Sequence, residues 1–81
     1  MDTITIHNTI IEVMAAILDV SRDQIGDDAS MDTIKAWDSL KHMKLVMTLE
    51  QEFGIEFDDQ EVVDLLSLRL IELAVRAKVP A

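Results

Sequence analysis

The sequence predicts an all-α fold: its pattern gives a bundle of three main helices plus one short helix, with a long loop between the first and second. Three observations carry this. Turn formers are scarce, with one Pro at position 80 and two Gly at 26 and 54, whereas all-β domains need frequent turn residues. Apolar residues recur at helical spacing. Small polar residues suited to helix starts, and a glycine suited to a helix stop, bracket those stretches.

The first helix is expected from about Ile6 to Val20. Ile6, Ile10, Val13, Met14, Ile17 and Leu18 form one stripe, with Glu12 and Asp19 off it. Residues 21–36, "SRDQIGDDASMDTIKA", are polar, with isolated apolar anchors at Ile25, Met31 and Ile34. They read as a long ordered loop, a feature that is uncommon in compact domains and often functional. The second helix starts near Asp38 or Ser39 and stops at Gly54. Its apolar face is read as Leu40, Met43, Val46, Met47, Leu49 and Phe53. A short extended link then leads to a brief helix started by Asp58 or Asp59. Ser67 can cap a last helix that carries Leu68, Leu70, Ile71, Ala74 and Val75 towards the core.

At 81 residues the chain is expected to be a single domain over 1–81, since shorter domains rarely split. Cysteine is absent, which excludes disulfides, thiolate metal sites and a cysteine nucleophile, and fits a reducing compartment. Seven basic residues stand against sixteen acidic ones, a net charge of −9. That balance opposes binding to nucleic-acid phosphates or to an anionic membrane surface. It suits partners with basic patches, or simply keeps a small domain in solution. The opening "MDTITIHNTI" lacks the pattern of a signal peptide, and no run approaches the ~20 apolar residues that span a bilayer. A monomeric, cytoplasmic protein is the expectation.

The most informative stretch is "AWDSLKHMKLVMTLEQEF", residues 36–53. Asp38 is a good N-cap, because its carboxylate can accept a first-turn backbone N–H. Trp37 then precedes the cap, and His42 stands where a hydrophobic staple would pair with it. Lys41 occupies the third helical position, so a capping box is absent. This accounts for Asp38 and leaves Ser39 open. A hydroxyl in the first turn lies among unpaired N–H groups at the positive end of the helix dipole, favourable ground for a phosphoryl-linked group.

Asp38-Ser39-Leu40 followed by "LVMTLEQEFGIEF" resembles the signature of acyl carrier proteins, and length, acidity and helix layout extend that resemblance over nearly the whole chain. The resemblance implies that Ser39 receives 4′-phosphopantetheine from coenzyme A through a separate Mg²⁺-dependent phosphopantetheinyl transferase. The arm's terminal thiol then holds acyl groups as thioesters, which would account for a chain without cysteine. It implies partner enzymes that load and process acyl groups, docking on the helix after the serine. By position that surface includes Leu40, Met43, Met47, Glu50 and Glu52, with Asp38 completing the motif. Glu50 and Glu52 also lie at a helix C-terminus, where the dipole disfavours acids; use by a partner or a plain solvated face both fit. Lys41 and Lys44 replace acids common in fatty-acid-synthase carriers, and Ala36-Trp37 replaces a Gly-containing pair. Both departures lean towards a specialised lipid, polyketide or peptide pathway.

Other constellations carry less. Asp38, Ser39 and His42 contain the residue types of a hydrolase triad, but one exposed helix turn cannot converge base, acid and oxyanion donors, and no G-x-S-x-G elbow is present. "DDASMDTIKAWD" departs from a calcium loop: Ala29 falls at the third position, Asp32 replaces the central Gly, and Asp38 stands where the bidentate Glu belongs. His7 and His42 have no ligand partners at useful spacing and are expected at the surface. Met43 and Met47 fit either ordinary core packing or the lining of an acyl-chain pocket. Met14 and Met31 are read as core or loop anchors. Trp37 is read as covering the start of the second helix, or as flanking the arm or a partner. The expected function is therefore a carrier and not an enzyme. The rivals are an aminoacyl or peptidyl carrier and an unmodified acidic helical adaptor.

Overall fold

The computed structural model describes residues 1–80. Four α-helices follow in order: α1 (Thr3–Leu18), α2 (Ser39–Phe53), α3 (Asp59–Asp64) and α4 (Leu68–Lys78), with one 3-10 turn at Arg22–Gln24 between α1 and α2. The described residues span 32 × 27 × 19 Å, and the all-α fold class is the one observed.

Every α-helix starts by the same physics. Asp2, Asp38, Asp58 and Ser67 lie in extended conformation, and each side chain accepts the N–H three residues on: Thr5, Lys41, Glu61 and Leu70. Each bond satisfies one of the donors that a helix start leaves without a partner. Asp2 accounts for α1 beginning at Thr3 and not near Ile6, because the cap sets the boundary and the first buried residue does not. The backbone hydrogen bond from Thr5 also holds the Asp2 carboxyl below its usual range.

The ends of α1 and α2 follow the left-handed rule. Asp19 closes α1 at φ 56° and Gly54 closes α2 at φ 64°. The turns are completed by bonds from Val20 N–H to Ala15 O and from Ile55 N–H to Glu50 O. Glycine adopts that conformation without a steric penalty, and aspartate tolerates it.

Helix α1 is the central element, packed against both α2 and α4. Ile10, Met14 and Leu18 meet Leu45, Leu49, Ile71 and Val75 in a fully buried core. The 21–37 connection is ordered by its own anchors, since Ile25, Ala29, Ile34 and Trp37 are all buried in that core. It is tied to the α3–α4 junction by Met31 N–H to Leu66 O and Leu68 N–H to Ala29 O, at 3.1 and 2.9 Å. Those bonds flank an isolated antiparallel bridge between Ser30 and Ser67.

Three sequence expectations need correction. On α2 the buried face is His42, Leu45, Val46 and Leu49; Leu40, Met43 and Met47 are 67, 48 and 57% exposed. The helix is rotated because Trp37 and the short α3 cover it on the side of His42, not on the side of the methionines. His42 is consequently 6% exposed and not a surface histidine. His7 is half-buried and paired with Glu72 of α4. Leu70 points outward, leaving Leu68, Ile71 and Val75 as the buried residues of α4.

Helix α3 has only six residues, too few to persist alone in water. A capping box, Asp58 with Glu61, fixes its start. Lys78 of α4 pairs with Glu61 at 3.0 Å.

Candidate functional site

The candidate site is the N-terminal turn of α2 and the ground beside it. Asp38 is the N-cap, with φ −101° and ψ −177°, and its Oδ1 accepts Lys41 N–H at 2.9 Å. Ser39 is therefore the first helical residue, exposed on the rim of the bundle. Its hydroxyl sits among first-turn N–H groups at the positive end of the helix dipole. Lys41 and Lys44, half-buried and exposed, add positive charge along the first two turns.

Beneath the rim lies a buried polar chain. Trp37 Nε1–H donates to His42 Nδ1 at 3.0 Å, and His42 Nε2–H donates to Val62 O at 2.8 Å. Because the indole nitrogen can only donate, Nδ1 must accept, and the ring is the neutral tautomer protonated on Nε2. The rings lie 6.0 Å apart and 31° tilted, which realises the staple spacing of residues 37 and 42 with a polar link added. Val62 is in the last turn of α3, where carbonyls lack intrahelical partners. His42 thus caps α3 from a neighbouring helix.

This geometry bears on Ser39 chemistry. His42 points inward with both ring nitrogens engaged, and the Asp38 carboxylate is engaged at the helix start. Neither accepts a hydrogen bond from the Ser39 hydroxyl. The Ser39 hydroxyl is exposed, and neither neighbouring side chain is engaged with it.

An open depression of about 280 Å³ adjoins the serine, shared with Met31, His42, Met43, Val62, Val63 and Leu66. Its walls are mainly apolar. Met43 lines it and Met47 does not; Leu40 and Met47 instead lie exposed on the outer face of α2. Of the two acids at the helix end, Glu50 is half-buried, and its Oε2 accepts Phe57 N–H at 2.8 Å. That bond fixes the link to α3 and gives Glu50 an internal role. Glu52 is exposed and borders a separate depression between α1 and α2, with Glu12, Ile17 and Thr48. At 3.6 residues per turn, residues two apart project about 160° from each other, so Glu50 and Glu52 do not share a face.

Reading the sequence alone misses Val62, Val63 and Leu66 as neighbours of Ser39, and it misses the inward role of His42. The one available signal was the staple spacing of Trp37 and His42. The others are brought in by tertiary packing of α3.

Comparison with known proteins agrees with this geometry. Residues 8–75 match the family model described as a phosphopantetheine attachment site. The chain is 38% identical over 56 residues to the acyl carrier protein of Buchnera aphidicola subsp. Acyrthosiphon pisum (strain Tuc7), covering 69% of this chain and 70% of that one. It is 31% identical over 65 residues to the acyl carrier protein of Nitratidesulfovibrio vulgaris, covering 80% and 86% respectively.

Proposed function

The chain belongs to the acyl carrier protein family, and on that premise we propose that Ser39 is its attachment residue and that it presents acyl intermediates to partner enzymes. Members of this family are carriers and not enzymes, and their prosthetic group is a covalently attached 4′-phosphopantetheine. The observation that carries the assignment to Ser39 is its exposure on the first turn of α2, directly after the Asp38 cap and at the edge of the apolar depression. The residues fit the group: a free rim position, first-turn N–H groups suited to a phosphodiester, and apolar side chains beside it.

When attached, the group supplies a thiol on a flexible arm, the chemistry that this cysteine-free chain lacks. The protein's own contributions are structural. Asp38 fixes the start of α2 and so the position of the Ser39 hydroxyl. In the attachment step that hydroxyl oxygen forms the new bond to phosphorus, its proton passes to the transferase, and the adenosine bisphosphate portion of coenzyme A leaves. Leu40, Met43 and Met47 offer apolar contact around the serine for the transferase and for acyl-loading and acyl-processing enzymes. Tethering converts each later encounter into an intramolecular one, raising effective concentration.

The pathway proposed is fatty acid, polyketide or related biosynthesis, in a single monomeric domain over 1–81 and in the cytoplasm. The names of the relatives favour acyl cargo over the aminoacyl or peptidyl alternative. No helix among the described residues is long and apolar enough to cross a membrane.

The test is intact mass after incubation with coenzyme A, Mg²⁺ and a broad-specificity phosphopantetheinyl transferase. The expected result is a gain of one phosphopantetheinyl group that Ser39→Ala abolishes. An unchanged wild-type mass, or a gain that survives Ser39→Ala, overturns the assignment and favours the unmodified adaptor or another attachment residue.

A further inference from the structure

The apolar depression beside Ser39 ends against the chain of hydrogen bonds from Trp37 through His42 to Val62. We propose that this chain is a barrier that keeps the space between α2 and α3 closed, so that the cargo is a short acyl group held at the surface and not a long alkyl chain threaded into the bundle. The inference rests on the attachment role of Ser39 and deepens it by naming the cargo class.

Three observations converge. Both nitrogens of the buried His42 are used, one by Trp37 and one by the last-turn carbonyl of Val62 in α3. Opening a path between α2 and α3 at this point requires breaking the bond to Val62, which exposes a buried donor and a helix-end carbonyl to an alkyl chain that can satisfy neither. Trp37, 2% exposed, is packed in the core against His42, and a packed interior has little spare volume. Finally, the depression outside the barrier is small. Its volume of about 280 Å³ is at the lower edge of the ~300–1,000 Å³ of sites that enclose drug-sized ligands, and it is open to solvent. At ~30 Å³ per water-sized group it holds about nine such groups, which the end of the arm would share.

The residues predicted to meet the cargo are Met31, Met43, Val63 and Leu66, all accessible or half-buried. Two of them are methionines, whose unbranched side chains adapt to varied small shapes.

The experiment loads the full chain from acetyl-coenzyme A and, separately, from dodecanoyl-coenzyme A with the same transferase, and checks each product by intact mass. Thermal midpoint and the NMR resonance of the single indole N–H are then compared. The expected result is a Tm difference under about 4 °C between the two products, with the Trp37 indole resonance unmoved. A dodecanoyl product more stable by about 4 °C or more, or one with a displaced indole resonance, overturns the barrier while leaving attachment intact. Failure of both masses to rise overturns the attachment reading, and the inference with it. His42→Ala removes the barrier, and the dodecanoyl form of this variant is expected to exceed its acetyl form by about 4 °C or more; no difference overturns the assignment of the barrier to His42. Should His42→Ala fail to fold, His42→Leu, which also lacks the bond to Val62, gives the same Tm comparison, and the wild-type pair decides the cargo class by itself.

Discussion

Replacing His42 with leucine is the sharpest test of the polar chain under α2. Leucine fills similar space but can neither accept from Trp37 nor donate to Val62. The Trp37 indole N–H, buried with that residue, is left without a partner, at a cost of about 1–3 kcal/mol. The Val62 carbonyl takes part in a bond that is only partly buried, so water recovers most of its loss. The added apolar burial of leucine offsets about 1 kcal/mol. The net expected loss is about 1 kcal/mol, a fall in Tm of about 4–8 °C for a domain of this size. Total stability scales to about 4–12 kcal/mol at this length, so the variant remains largely folded. Adding Trp37→Phe removes the orphaned donor. In a double-mutant cycle the pair should therefore be less destabilised than the sum of the singles by at least about 1 kcal/mol. Urea unfolding followed by far-ultraviolet circular dichroism measures all four proteins, because it does not depend on the tryptophan. Additivity within about 0.5 kcal/mol refutes the reasoning: the indole would then gain nothing from the imidazole.

Asp38→Ala should lower stability by about 1 kcal/mol through loss of the N-cap, whereas Asp38→Asn retains most of it; equal urea midpoints for the two variants would contradict the capping role. Gly54→Ala should cost about 1 kcal/mol, and purely through the left-handed backbone, because an added Cβ meets no atom within 4 Å; a neutral thermal midpoint would show that the α2 terminus relaxes. At the acidic end of α2 the two glutamates should separate. Glu50→Gln weakens a charge-assisted bond to Phe57 N–H and should cost about 1 kcal/mol, while Glu52→Gln, exposed, should stay within about 0.5 kcal/mol. If both acids also steer a basic partner, reversing both charges slows association and flattens its salt dependence; stopped-flow rates unaltered across ionic strengths would remove docking and leave the internal role of Glu50.

Helix existence and order were legible because each helix carries its own local instructions. Asp38, Asp58 and Ser67 announce starts, Gly54 announces a stop, and the stripe from Ile6 to Leu18 announces a buried face. The position of Ser39 at the tip of α2 was legible for the same reason: an N-cap and the residue after it are a local matter. The buried face of α2 was not. Its residues include apolar ones on nearly every side, and a periodicity that broad admits several rotations. Leu40, Met43 and Met47 were counted in the apolar face of α2 and, through the resemblance, in a docking surface; they stand outside the core, because what covers a helix is set by neighbours distant in sequence. Leu70 on α4 was misread for the same reason. His42 shows the limit most clearly. A histidine among apolar residues reads as a surface residue until a buried indole and a helix-end carbonyl are found on either side of it.

What the sequence determined by itself was therefore everything encoded within a turn or two of helix: the all-α class, the caps, the long ordered connection, and a serine presented at a helix start. Tertiary structure alone decided which side of α2 faces inward and which residues from α3 and the loop gather beside that serine. It also decided that His42 joins Trp37 to Val62. The physical reason is range. Hydrogen bonds at helix ends and apolar spacing act between residues a few positions apart, whereas burial is a property of surfaces brought together from residues 31, 42 and 62.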